Sequence, residues 1–182
     1  MNKINAKYND DLIAKCKRGD SLAQHQLFIK YYDSMFAVCS RIVSNQTDAE
    51  EIIQDAFVVA FSKIKKLRAT AAFGTWLKHI VVNLSINFVK RTKKIALEEY
   101  SDDFIDEIPD ESPIYNLSKQ TISGAVAQLP DGCRIIFGLY LLDNYKHHEI
   151  ARLLNISVST SKSQYQRAKY ILKEKLTQII NE

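Results

Sequence analysis

The stretch His147 to Leu176, HHEIARLLNISVSTSKSQYQRAKYILKEKL, decides how this chain is read. It predicts a short helix, a tight turn and a longer helix with a basic outer face. Ile150, Ala151 and Leu154 point inward from the first helix, and the small Ala151 lets a second helix approach closely. Asn155 stands where the chain must turn, and asparagine is one of the few non-glycine residues that tolerates a left-handed backbone. Ile156 fills the gap between the helices. Ser157 is placed to cap the next one, its hydroxyl taking up a free amide of the first turn. Val158, Ser161, Tyr165, Ala168 and Leu172 then recur at steps of three and four, which is one helix face. Ser159, Thr160, Lys162, Ser163, Gln166, Arg167, Lys169 and Lys173 fall off that face. Short hydroxyls, an amide and cations are the residue types that meet base edges and phosphates. The segment therefore reads as a helix-turn-helix with a DNA-reading second helix. Two packed helices with a merely solvated basic face are the alternative that this segment alone leaves open.

The distribution of charge bears on that choice. Net charge over 182 residues is +4. Residues 1–96 carry 16 Lys and Arg against 8 Asp and Glu, residues 97–118 carry 8 acids and no Lys or Arg, and residues 119–182 carry 9 basic against 5 acidic residues. Two basic parts joined by an acidic strap suggest two separate contacts with a polyanion.

Other function classes find no support. Cys16, Cys39 and Cys133 are far apart, and neither they nor His25, His79, His147 and His148 form a metal-ligand spacing, so no metal or other cofactor is expected. There is no P-loop, no glycine-rich dinucleotide turn and no nucleophile elbow, and the chain does not read as an enzyme. No run approaches the roughly 18 apolar residues of a membrane span. The N-terminus lacks an apolar signal core, which predicts a cytoplasmic protein.

With 46% hydrophobic residues but only five Gly and three Pro, the expected class is all-α. Two small helical domains joined by an acidic linker are predicted, the C-terminal one holding the helix-turn-helix. In the first domain, residues 1–96, helices are expected from Asp11 to about Gly19 and from Ser21 to about Val43, the latter with Leu22, Leu27, Tyr31, Met35, Val38 and Ile42 on one side. Ser44-Asn45-Gln46 breaks the pattern. Thr47 is expected to open the next helix, with Thr-x-x-Glu forming a capping box and Asp48, Glu50 and Glu51 suiting the dipole. A last helix runs from about Phe73 to Lys94, with Trp76, Leu77, Ile80, Val81, Leu84 and Phe88 inward and basic charge gathering toward its end. Residues 97–118 read as a linker, with two prolines and eight acids. Residues 119–182 then read as four short helices, with Cys133 to about Leu142 an apolar one.

Taken together, these segments resemble a bacterial RNA polymerase sigma factor of the extracytoplasmic-function (ECF) type in the sigma-70 family. The resemblance spans about residues 9–178. It is carried by Gly19-Asp20, Tyr31-Tyr32, Asp48 to Asp55 with Phe57, and Phe73-x-x-Trp76-Leu77 through Asn83. In the second domain it is carried by Leu129-Pro130-Asp131-Gly132, Gly138-Leu139-Tyr140, and His148-Glu149-Ile150-Ala151 through Arg167-Ala168. Each string is weakly specific, while their order and spacing are not. Asn155 replaces the usual turn glycine. Many relatives have valine where Ser161 stands and arginine where Gln164 stands, so Ser161, Gln164 and Tyr165 are where DNA preference is expected to differ.

The resemblance implies a division of labour. Residues 1–96 correspond to sigma region 2, which binds the polymerase clamp and melts the −10 promoter element. Residues 119–182 correspond to region 4, which reads the −35 element as duplex. Glu50, Glu51, Gln54 and Asp55 become candidates for contact with the coiled coil of the polymerase largest subunit, and the flap is the expected partner of the second domain. The loop Lys66 to Ala72 occupies the family's position for capturing a flipped base and contains no aromatic residue. Asn83, Asn87, Lys90 and Arg91 are the candidates for strand and phosphate contact. Phe73 and Trp76 have rings that can stack on bases, but their spacing with Ile80 fits a core position better. At the duplex site Lys162 and Gln166 are expected to reach bases, Arg167 and Lys169 to hold phosphates, with Ser159, Thr160 and Ser163 beside them. A 22-residue linker reaches at most about 70 Å, roughly the length of 20 base pairs at about 3.4 Å each, enough to let two domains occupy separate elements. Its acidity suggests an RNA mimic lying on the polymerase. An anti-sigma partner, commonly membrane-anchored, is also implied by the resemblance. The competing classes are a stand-alone helix-turn-helix transcription regulator and a sigma-like decoy that binds polymerase without opening DNA.

Overall fold

The computed structural model describes residues 3–69, 72–92 and 118–181. Every regular element among them is helical: α1 (Lys3–Lys17), α2 (Ser21–Val43), α3 (Gln46–Lys63) with a 3-10 turn at Ile64–Lys66, α4 (Phe73–Thr92), α5 (Lys119–Ala127), α6 (Asp131–Phe137) with a π turn at Gly138–Leu142, α7 (His147–Leu154) and α8 (Val158–Asn181). The chain divides into two compact units, Met1–Val89 and Lys90–Glu182. The boundary expected after residue 96 and residues 97–117 of the acidic strap lie outside the described residues. Ser118, at the end of that strap, is already the N-cap of α5, its Oγ accepting from the Thr121 amide at 3.1 Å.

In the first unit α2 packs on α1 and α3. The α1–α2 turn uses Gly19 at φ +90°, and Asp20 caps α2 by accepting from the Ala23 amide at 3.0 Å. α1 begins at Lys3 rather than Asp11, since no glycine or proline interrupts the preceding residues. Leu22, expected inward, is 66% exposed. The buried stripe of α2 runs through Ala23, Leu27, Met35, Val38 and Ile42, and Leu22 stands about 100° round the helix from Ala23. α3 opens at Gln46 rather than Thr47. Asn45 is its cap, accepting from the Asp48 amide at 3.2 Å, and Glu50 accepts from Gln46 Nε2 at 3.0 Å instead of closing a capping box with Thr47. Asparagine caps at least as well as threonine, so the earlier residue wins.

α4 is also rotated from the expected phase. Its buried residues are Phe73, Leu77, Val81, Val82, Ser85, Ile86 and Val89, while Trp76, Ile80, Leu84 and Phe88 are half-buried. A periodicity count of apolar residues overlooks Ser85, whose Oγ donates to the Val81 carbonyl at 2.8 Å and lies 3.2 Å from Cys39 Sγ of α2. A small, satisfied hydroxyl lets the two helices approach. Phe73 meets Tyr31 edge-on at 5.2 Å, and a Cβ on Gly74 would stand 3.0 Å from the Tyr31 ring.

In the second unit α8 packs on α5, α6 and α7 around Ala125, Leu129, Cys133, Ala168, Leu172 and Leu176. At 24 residues α8 is not one of four short helices. The expected apolar helix to Leu142 ends earlier: α6 stops at Phe137 and the chain widens into the π turn, with the Asp143 amide bonded to the Gly138 carbonyl at 3.1 Å. Buried Arg134 is held by Asp131 Oδ1 at 2.6 Å.

Candidate functional site

The helix-turn-helix forms as its local chemistry requires. The Lys146 amide donates to Glu149 Oε2 at 2.7 Å at the start of α7. Asn155 adopts φ 58°, ψ 52°, and the Ile156 amide returns to the Ala151 carbonyl at 3.0 Å. Ser157 caps α8, its Oγ accepting from the Thr160 amide at 2.9 Å. The inward residues Ile150, Ala151 and Leu154 are buried as expected.

The inward stripe of α8 differs from the expected one. Val158 is exposed and Tyr165 half-buried, while Thr160 (4% exposed) and Gln164 (2%) join the expected Ser161 (0%), Ala168 and Leu172 in the buried stripe, with Leu176 beyond them. Thr160 is thus turned into the protein, its hydroxyl 2.7 Å from Ser157 Oγ, and is withdrawn from the DNA-facing set. Ser161 and Gln164, expected to alter base preference, face the protein interior. Ser161 Oγ shares a hydrogen bond with His147 Nδ1 at 3.0 Å, and Gln164 Oε1 accepts from Cys133 Sγ at 3.0 Å. Burial pushes the Cys133 thiol up to about 11, which keeps it a donor.

The remaining candidates share the outer side of α8. Ser159 and Lys162 are exposed, and Ser163, Gln166, Arg167 and Lys169 are half-buried. Ser159, Lys162, Ser163 and Gln166 follow one another at helical spacing, so a hydroxyl, a cation and an amide project from adjacent turns of one face. Beside them lies an aromatic cluster that sequence reasoning missed. The His147 ring stacks on Tyr140 at 4.3 Å, and Tyr165 lies 4.6 Å from Tyr140 and 5.9 Å from Phe137. Burial and the charge of Lys162 hold the His147 imidazole below its ordinary range. The four rings are scattered over 29 residues, so no local spacing signals the cluster.

In the first unit Glu51, Gln54 and Asp55 are exposed on one face of α3, whereas Glu50 is half-buried and bonded to Gln46. Val58, 67% exposed, continues that face and was not foreseen. Its signal is an apolar residue at i+3 and i+4 from Asp55 and Gln54. Asn83, Asn87, Lys90 and Arg91 form an exposed stripe along the end of α4, which runs across the boundary between the units at Val89 and Lys90. Asn83 Nδ2 donates to the His79 carbonyl at 2.7 Å. Phe73 is fully buried and cannot stack on a base, and Trp76 is half-buried. Lys63, Lys65, Lys66 and Arg68 add an exposed basic cluster at the end of α3, and between Asp55 and Glu98 the sequence contains no acid at all. Among the described residues no group of His, Cys, Asp or Glu is arranged to hold a metal, and no helix is long and apolar enough to cross a membrane.

Known proteins carry the same architecture. Family models for sigma-70 region 2 and sigma-70 region 4 match residues 27–95 and 119–172. The ECF RNA polymerase sigma factor SigW of Bacillus subtilis is 30% identical over 176 residues, covering 90% of this chain and 94% of that protein. The ECF RNA polymerase sigma-E factor of Escherichia coli is 26% identical over 181 residues, covering 93% of this chain and 94% of its own. Among solved structures, the sigma factor RpoE in complex with the anti-sigma factor NepR from Bartonella quintana matches with a TM-score of 0.53 at 21% identity, covering 84% of this chain and 96% of that one, a likeness of fold. With both region models in order along the chain and a relative that is 30% identical and covered over 94% of its length, this protein belongs to the ECF group of the sigma-70 family, the RNA polymerase sigma factors that direct promoter recognition and transcription initiation.

Proposed function

We propose that the two units divide the work of initiation between the faces described above. Glu51, Gln54 and Asp55, with Glu50 at their edge, bind the clamp coiled coil of core RNA polymerase. Asn83, Asn87, Lys90 and Arg91 hold the opened strand of the −10 element through amides and cations. On the −35 duplex Lys162 and Gln166 reach base edges, Ser159 and Ser163 lie beside them, and Arg167 and Lys169 hold phosphates. The observation that carries this reading is the outer face of α8, where Ser159, Lys162, Ser163 and Gln166 align opposite a buried stripe. The protein acts in the cytoplasm, where the polymerase is, and contributes no catalytic group of its own. An anti-sigma factor is its expected regulator, a reading supported by the partner in the Bartonella quintana complex.

The test is to add purified protein to core polymerase on a cognate promoter and probe strand opening with permanganate. Reactive thymines in the −10 element are expected only when both proteins are present. Selective duplex binding without polymerase and without opening would instead identify a stand-alone regulator. Polymerase binding with no opening would identify a decoy.

A further inference from the structure

Ser161 and Gln164 place two hydrogen-bonding side chains in a stripe whose other members, Ala168, Leu172 and Leu176, are apolar. Apolar packing is non-directional, so by itself it tolerates small rotations of a helix about its axis. Hydrogen bonds fix distance and angle. Here they pin α8 from two neighbours, His147 Nδ1 on α7 at 3.0 Å and Cys133 Sγ on α6 at 3.0 Å. His147 is itself held, stacked on Tyr140 at 4.3 Å with an interplanar angle of 15° and edge-on to Tyr165 at 5.7 Å. Lys162 follows Ser161 directly, and Gln166 lies one turn further along. At the roughly 5–6 Å radius of a helix with its side chains, a roll of about 10° moves a side-chain tip by about 1 Å. A shift of that size turns a good hydrogen bond into none.

We propose that His147, acting through Ser161, is a positioning residue that sets the direction in which Lys162 and Gln166 enter the major groove. This rests on the reading of α8 as the duplex reader. In this role His147 need touch no base. It restricts the roll of the helix that does, so its effect falls on the choice between sequences more than on affinity for DNA in general.

The test uses the full chain bound to core polymerase and a set of promoters with single-base substitutions in the −35 element. His147→Phe keeps a ring to stack on Tyr140 and removes the nitrogen, while Ser161→Ala removes the hydroxyl. Each is expected to flatten the ratio between cognate and substituted sites by roughly threefold to tenfold, a part of what one good base contact supplies. The double variant is expected to flatten it no further than either single one, because both break the same bond. Thermal melting establishes that each variant is folded at the assay temperature. An unchanged ratio in either single variant, additive losses, or a uniform fall in affinity at constant ratio would overturn the proposal. A natural chain that shows no selectivity among the duplexes would overturn the duplex reading, and this proposal with it, before any substitution is made.

Discussion

Cys133 Sγ donates to Gln164 Oε1 across 3.0 Å inside the packing of α6 on α8. A glutamine of the kind that reads adenine is thereby committed to the protein interior. The exposed chemistry of the recognition helix is correspondingly narrow, and in the function proposed above the load of base reading falls on Lys162 and Gln166.

Lys162→Ala should therefore separate reading from folding. Lys162 is exposed, so its loss should change stability by no more than about 0.5 kcal/mol. Discrimination at one −35 position should fall by about 1–3 kcal/mol. Competition binding against substituted promoters measures this, and a variant with undiminished selectivity would remove Lys162 from the base-reading set.

The α3 face gives a second expectation. Glu51→Lys with Asp55→Lys reverses two exposed charges on one face without touching the core of the unit. Affinity for core polymerase should drop by about tenfold or more, with the slower association growing less pronounced as salt is raised. Binding to isolated −35 duplex should stay as it was.

Asn155 tests the turn. At φ 58° its backbone is left-handed, so Asn155→Ala should cost about 1–2 kcal/mol while Asn155→Gly is close to neutral. Chemical denaturation of both variants settles the difference. Equal losses would mean that the asparagine side chain, not its backbone tolerance, holds the turn.

The lowered affinity of His147 for a proton has a consequence for stability. Tyr140, Tyr165, Ser161 and Lys162 face the ring, and no carboxylate is among them. An imidazole held below its ordinary 6.5 stays neutral in the fold while the unfolded chain takes up the proton first. Its contribution is complete above about pH 6.5 and is lost as pH falls from there through the lower folded value. Melting temperature followed between about pH 7.5 and 5 should show this decline, and His147→Phe should flatten it.

The fold and the turn chemistry were legible because they depend on neighbours in sequence. Asn155 turns the chain through its own left-handed backbone, Ser157 caps an amide three residues away, and the recurrence of buried positions in α3 follows from helix geometry. What escaped the sequence depends on partners far along the chain. Ser85 is inward because Cys39 receives it, and Gln164 because Cys133 does; Ser161 was expected on the inner face, but its partner His147 was not. A polar residue in a helix is by default assigned to solvent, and only a distant partner reverses that assignment. The same gap hid the aromatic cluster around Tyr140.

The π turn at Gly138–Leu142 holds one residue more per turn than the helix before it. That surplus sets the angular phase at which the chain leaves α6, and Tyr140, inside the turn, stacks on His147. Deleting one residue there would turn everything that follows by about 100°, the step of a single helical residue. The stack on His147 would be lost even though every residue of α7 and α8 remained. Length at this turn is thus a control over the reading head, separate from the identity of any residue that touches DNA.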